Sequence, residues 1–186
     1  MKKKGAVLFI PHGGGPLPIL GDQRHQELIK FLEKIKTKIN KPSSIIIVSA
    51  HWEEEEVKIT SGEKPSLIYD YSGFPEETYK IIYPAAGNPE LANKIKILLN
   101  AQNINSKLDT ERGFDHGVFI PLKIMYPDAS ITCIQISLLK NLDPKKHIEM
   151  GKALSSLMNE NILILGSGMS FHNLTILLSG SESAEN

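Results

Sequence analysis

The chain is predicted to fold as an α/β protein with a mostly parallel central sheet and helices on both faces. Three observations predict this. Ala6-Val7-Leu8-Phe9-Ile10, Ser44-Ile45-Ile46-Ile47-Val48-Ser49-Ala50 and Asn161-Ile162-Leu163-Ile164-Leu165 are short apolar runs rich in β-formers. Stretches with helical spacing separate them, and the connections are short. Strands that are apolar almost throughout, rather than at alternate positions, belong to sheets buried on both faces, and these are mostly parallel.

The elements follow in order. After the first run, Leu28, Leu32, Ile35 and Ile39 recur at helical spacing, so Gln23 to about Ile39 reads as an amphipathic helix. Lys41-Pro42 ends it and the second run follows, completing a βαβ unit. Val57-Lys58-Ile59-Thr60 alternates like an edge strand. Tyr69 to Phe74 and Tyr79 to Tyr83 concentrate aromatics in a long excursion over the sheet. Pro89 to Asn100 is a helix with Leu91, Ile95, Leu98 and Leu99 inward, and Asn103 to Leu108 a short strand. Val118 to Met125 is an apolar segment, and Ile131 to Ser137 a further strand. Asp143-Pro144, an N-cap followed by an N1 proline, opens a helix before the last strand.

With 186 residues, the chain is expected to form one domain over 1–178. The small, polar, acidic tail 179–186 is expected to be disordered. Lys plus Arg and Asp plus Glu are both 21, so nothing basic argues for nucleic acid. No apolar stretch approaches the roughly 18 residues that span a bilayer, and no signal peptide is expected before the first strand. A single cysteine, Cys133, fits a reducing compartment, and a cytoplasmic location is expected. Cys133 lies in a strand and reads as packing rather than nucleophile.

Chemistry is concentrated in the histidines. His12, His51 and His172 each follow an apolar strand run, and His116 lies between Gly113 and Gly117. One histidine at a strand end is ordinarily just a hydrogen-bonded residue. Three at the exits of parallel strands open on one edge of the sheet, where such folds bind ligands. Imidazoles converging without cysteines suit Zn, Fe, Cu or Ni rather than Ca or Mg. Gly13-Gly14-Gly15 and Gly166-Ser167-Gly168 also suit close backbone approach to a phosphate, though no P-loop or Gly-x-Gly-x-x-Gly pattern occurs. His25 and His147 lie in helices among charged residues and read as solvated. Glu53 to Glu56 reads as a solvated face whose first members lie close to His51.

Taken in order, several motifs resemble one family. They are His12 in its Gly-rich turn, Ser49-Ala50-His51-Trp52, Tyr69-Asp70-Tyr71-Ser72-Gly73-Phe74-Pro75 and Tyr83-Pro84-Ala85. Gly113-Phe114-Asp115-His116-Gly117, Met125-Tyr126-Pro127-Asp128 and Gly166-Ser167-Gly168 with His172-Asn173-Leu174 complete the set. Over about residues 5 to 175 the sequence is similar to the class III extradiol ring-cleavage dioxygenases of the LigB-like superfamily, in the DOPA 4,5-dioxygenase-like branch. The resemblance implies a non-haem metal, Fe(II) in working enzymes and Zn(II) in isolated ones, with a catechol and O2 as substrates. It implies His12 and His51 as metal ligands, His172 as acid/base catalyst or additional ligand, and His116 as a catalytic histidine near the substrate. Tyr71, Phe74 and Trp52 are aromatic walls for the ring, or packing residues. Against the family pattern the chain looks C-terminally shortened. A further histidine in a Pro-x-x-His-type motif has no counterpart, so either a ligand is missing or another group such as Glu53 or water substitutes. Apolar surface left uncovered by that shortening would favour a homo-oligomer. The alternatives are a catalytically impaired metal-binding or scaffold protein of the same fold, or a zinc-dependent hydrolase.

Overall fold

The computed structural model describes residues 4–169. Residue His172 and the tail 179–186 therefore lie outside the described residues. Among the described residues one six-stranded sheet forms: β1 (Ala6–Ile10), β2 (Ser44–Glu54), β3 (Val57–Thr60), β4 (Ser106–Asp109), β5 (Thr132–Leu139) and β6 (Ile162–Ser167). The order across the sheet is β1-β6-β2-β5-β3-β4. The first four strands of that order are mutually parallel; β3 runs antiparallel to β5, and β4 parallel to β3. The predicted mostly parallel α/β architecture is therefore what forms. One placement differs. The alternating strand at 57–60 is interior, flanked by β5 and β4, with Val57 and Ile59 fully buried. Alternation there reflects two different coverings, not an edge.

Among the described residues four α-helices cover the sheet: α1 (Gln26–Ile35), α2 (Pro89–Asn100), α3 (His116–Met125) and α4 (Pro144–Ala153). Side chains alternate across a strand, so Ile45 and Ile47 pack with α1 and α3 while Ile46 packs with α2 and α4. The Asp143 cap read from the sequence forms, and Asn88 caps α2 in the same way. Asn88 accepts from the Leu91 N–H at 3.0 Å and Asp143 from the Lys145 N–H at 2.9 Å, each followed by an N1 proline. The apolar segment around Val118 is the α3 helix, buried nearly all round, which is why it shows no amphipathic stripe. Pro121 sits inside α3 and has no N–H to offer the Gly117 carbonyl four residues earlier. That carbonyl instead accepts a hydrogen bond from the Ser167 hydroxyl at the end of β6.

The C-terminal edge of the sheet is where the local irregularities collect. Strand β2 pairs in register with β5 as far as Val48↔Ile136 and resumes only at Glu53↔Leu138. Five positions on β2 thus match two on β5, and residues between Val48 and Glu53 bulge out of the ladder. Pairing of β2 with β6 also ends there, at Ser49↔Ser167.

Candidate metal centre

His12, His51 and His116 meet at this edge. His12 lies two residues past β1, whose last residue Ile10 pairs with Ser167. His51 lies inside β2, in the bulge, rather than past the strand's end. A bulge re-aims a side chain, and here it turns the imidazole toward its neighbours. His116, which lies between Gly113 and Gly117, opens α3. Their ring centroids are 4.0 Å (His51–His116), 4.9 Å (His12–His51) and 5.2 Å (His12–His116) apart. His12 and His116 are buried and His51 is partly open.

Each ring is held from behind. Ser167 donates its one hydrogen to the Gly117 carbonyl, so its oxygen accepts from His12 Nδ1 at 3.0 Å. Nδ1 of His12 therefore carries hydrogen and Nε2 faces inward. Asp70 Oδ1 lies 2.8 Å from His116 Nδ1 and accepts the His116 backbone N–H at 2.9 Å, while Oδ2 lies 3.3 Å from His51 Nδ1. Burial pushes the Asp70 carboxyl up, but hydrogen bonds from His116 and the charges of His116 and His51 outweigh it, lowering its pKa to about 2. Asp70 thus stays an acceptor.

The excursion after β3 brings Asp70 to this place. Leu67 forms a parallel bridge with Phe114; Phe114 N–H donates to the Ser66 carbonyl and Ile68 N–H to the Phe114 carbonyl, both at 2.8 Å. Gly113 is needed at this join, since a Cβ there would lie 2.4 Å from the Ser66 carbonyl oxygen. The excursion is stiffened by its own tyrosines: the Tyr71 hydroxyl donates to the Thr78 carbonyl and the Tyr69 hydroxyl to the Ile81 carbonyl. Burial pushes the Tyr71 phenol up to about 12, so it walls the site rather than giving up a proton. Its ring is 5.8 Å from His116 and 5.5 Å from Phe74, which packs on Gly15. Trp52 is engaged elsewhere, buried under the Arg112 guanidinium at 4.5 Å and donating to Glu54.

Beneath the site Asp115 is fully buried and satisfied three ways, by Ser49 Oγ at 2.8 Å, Arg112 at 3.3 Å and Gln135 Nε2. With its side chain turned inward it makes no cap for α3. Cys133 is buried and its thiol pushed up to about 12 by burial, in keeping with a packing role. The acidic run after His51 makes surface ion pairs: Glu54 with Lys58, Glu55 with Lys140 and Glu56 with Lys107. Glu53 is not among the groups that converge with the histidines.

His25 and His147 are not merely solvated. His25 Nε2 accepts the Gly14 N–H at 3.2 Å and its Nδ1 lies 3.1 Å from Asp22. His147 Nε2 accepts the Leu139 N–H at 3.1 Å and its Nδ1 donates to the Asp143 carbonyl at 2.7 Å. Charged sequence neighbours concealed both roles. Asp70 was also hidden from a sequence reading, because it lies 46 residues from His116 in an aromatic loop. Its place in the Tyr69-Asp70-Tyr71 motif was the available signal.

Chemically, the site is a donor set. Ligand atoms of His12, His51 and His116 all lie within 4.8 Å of one another, and these three could together hold a metal ion. The Nε2 atoms of His12 and His51 are 3.1 Å apart. Ligands bound at about 2.1 Å to one metal stand roughly 3.0 to 3.4 Å apart for right-angle to tetrahedral geometry, so the spacing fits. Histidine ligands backed at Nδ1 by a carboxylate or hydroxyl are the usual supporting arrangement.

Comparison with known proteins agrees. Residues 6–185 match the family model described as the catalytic LigB subunit of aromatic ring-opening dioxygenase. The chain is 42% identical to dioxygenase tasH of Hapsidospora irregularis over 96% of its length and 58% of that protein's. It is 41% identical to the 4,5-DOPA dioxygenase extradiol of Beta vulgaris, covering 89% of this chain and 62% of that one. The corresponding Escherichia coli K12 protein is 38% identical over 90% and 60%. The chain thus spans about three fifths of these curated relatives. A crystal structure of an uncharacterized Escherichia coli K12 protein superposes with a TM-score of 0.67 at 35% identity, over 80% of this chain and 55% of that one. Among the described residues no helix is long and apolar enough to cross a membrane. The motif order, the parallel sheet with histidines at its edge and the match over residues 6–185 lead to one conclusion: the chain belongs to the LigB family of aromatic ring-opening dioxygenase subunits.

Proposed function

We propose that the protein is a non-haem metal-dependent dioxygenase that opens a catechol-type ring beside its two hydroxyls, with DOPA-like or other substituted catechols as substrates. The observation that carries this reading is the convergence of His12, His51 and His116 at the C-terminal edge of the sheet. His12 and His51 are the metal ligands in this proposal, with Fe(II) for turnover and Zn(II) as an occupant on isolation. A divalent metal bound there would supply the charge that favours catechol deprotonation and a centre at which catechol and O2 meet.

The chain's own residues do the rest. His116, with Nδ1 on Asp70, accepts a hydroxyl proton from the catechol at Nε2, and Asp70 stabilises the imidazolium that results. Tyr71 and Phe74 form an apolar wall for the flat ring and limit water on that side. The proposal also assigns His172 as acid/base catalyst or additional ligand. Both atoms of O2 enter the product, one as aldehyde and one as carboxylate, as the ring carbon–carbon bond breaks. The test is anaerobic reconstitution with Fe(II), followed by a panel of catechols and O2. Uptake of one O2 per ring with a yellow semialdehyde supports the reading; no uptake across the panel by protein carrying one Fe(II) per chain overturns it.

A further inference from the structure

We propose that Asp70 is a positioning residue whose one carboxylate sets the tautomers of His51 and His116 together, so that both rings present an Nε2 lone pair to the same centre. This rests on the reading that the centre holds a metal, although the tautomers can be measured without one.

An ionised carboxylate only accepts hydrogen bonds. Oδ1 accepts a hydrogen bond from His116 Nδ1 at 2.8 Å, so that nitrogen carries hydrogen; Oδ2 stands in ion-pair contact with His51 Nδ1 at 3.3 Å, where the negative oxygen favours hydrogen on that nitrogen too. In a neutral imidazole Nε2 is then the acceptor. A second hydrogen bond, from the His116 backbone N–H to the same Oδ1, ties the carboxylate to the start of α3 and opposes its rotation. The Leu67–Phe114 bridge fixes the segment three residues before it. His12 reaches the same tautomer by a different device, the neutral Ser167 hydroxyl. The consequence is an arrangement of lone pairs facing one another, with Nε2 of His51 only 3.1 Å from Nε2 of His12. At this hydrogen-bonding distance two lone pairs repel unless a proton or a metal cation lies between them, so Asp70 prepares the site for a positive charge.

The decisive variant is Asp70→Asn, which has the same shape but one acceptor and one donor. Its oxygen satisfies one Nδ1–H; its NH2 faces the other ring and drives that ring to the Nε2–H form. The measurement is nitrogen-15 correlation NMR of the metal-free full chain at about pH 8.5, above the usual imidazole range. In the wild type, His51 and His116 should both be Nδ1–H; in the Asn variant one of them should switch. Zn2+ affinity, by competition with a chromophoric chelator, should fall by about 10- to 100-fold. A merely structural role for Asp70 would lower the thermal midpoint and leave both tautomers unchanged. If the Asn variant keeps Nδ1–H on both rings, the proposal fails, whatever happens to Zn2+. If that variant does not fold, the wild-type spectrum decides: an Nε2–H ring at either position overturns the proposal, and two Nδ1–H rings support it. If tautomers switch while the wild type binds no Zn2+, the positioning role stands and the metal reading fails.

Discussion

His25 and His147 share a bonding pattern that separates them from the histidines at the sheet edge. Each places Nδ1 on an oxygen and receives a backbone N–H at Nε2, from Gly14 and from Leu139 respectively. Such a ring is a strut between two backbone segments, with its acceptor already used. His12, His51 and His116 are backed by oxygens at Nδ1 in the same way, but Nε2 of His12 meets Nε2 of His51. Burial does not separate the groups: the His25 side chain is 16% exposed and that of His51 26%. What meets the second nitrogen is the better guide to a ligand histidine.

The largest effect expected from this contrast is at the edge. His51→Ala should take bound metal from about one per chain to none and abolish ring opening, as read by metal analysis and O2 uptake. His116→Gln sharpens the division of labour within the trio: turnover should fall by about 10²- to 10⁴-fold, the usual size of a lost general base, while metal content stays near one per chain. Metal lost from both variants would instead make His116 a ligand.

A smaller effect is expected from crowding the group from behind. A Cβ on Gly117 would lie 2.3 Å from Ser49 Oγ and 3.3 Å from His12 Nδ1. Gly117→Ala should cost about 1 to 3 kcal/mol, the range for overpacking, and weaken Zn2+ binding with it. An unchanged thermal midpoint would mean that Ser49 and His12 can shift aside freely.

The smallest effects should come from the struts. His25→Ala and His147→Ala each remove one acceptor of a backbone N–H and should cost about 1 kcal/mol, or about 2 to 4 °C in midpoint for a chain of this size. Zn2+ stoichiometry should be unaffected in both. Loss of metal from His25→Ala would break the comparison, since it would make the Gly14 bond part of the site.

The contrast also explains what a sequence reader can recover. The strands of the parallel core were legible because Ile45 to Val48 and Ile162 to Leu165 are apolar on both faces and flanked by breakers. Helix α4 was legible from the Asp143-Pro144 cap and proline, and α2 from Pro89 and the spacing of Leu91, Ile95, Leu98 and Leu99. His12 and His51 were both legible as histidines after apolar runs, but their convergence depends on the β2 bulge, since His51 lies within its strand and not at its exit. Four features were not legible, because each depends on a distant partner. The β2 bulge depends on where β5 ends its register, and the interior place of β3 on the antiparallel turn of the sheet. Asp70 reaches His116 only through the Leu67–Phe114 bridge. His25 bonds a loop eleven residues back, and nothing in its neighbours announces that.

Pro121 carries a consequence beyond the shape of its helix. By helix propensity alone, Pro121→Ala looks stabilising, since an interior proline costs about 3 kcal/mol relative to alanine. Yet alanine would supply an N–H to the Gly117 carbonyl and compete there with the Ser167 hydroxyl. A displaced hydroxyl could donate toward His12 Nδ1 instead of accepting from it, and the ring's hydrogen would move to Nε2. A gap in one helix's hydrogen-bond ladder thus writes the protonation pattern of an imidazole in the loop after β1. Stabilising designs for this fold should leave that gap open.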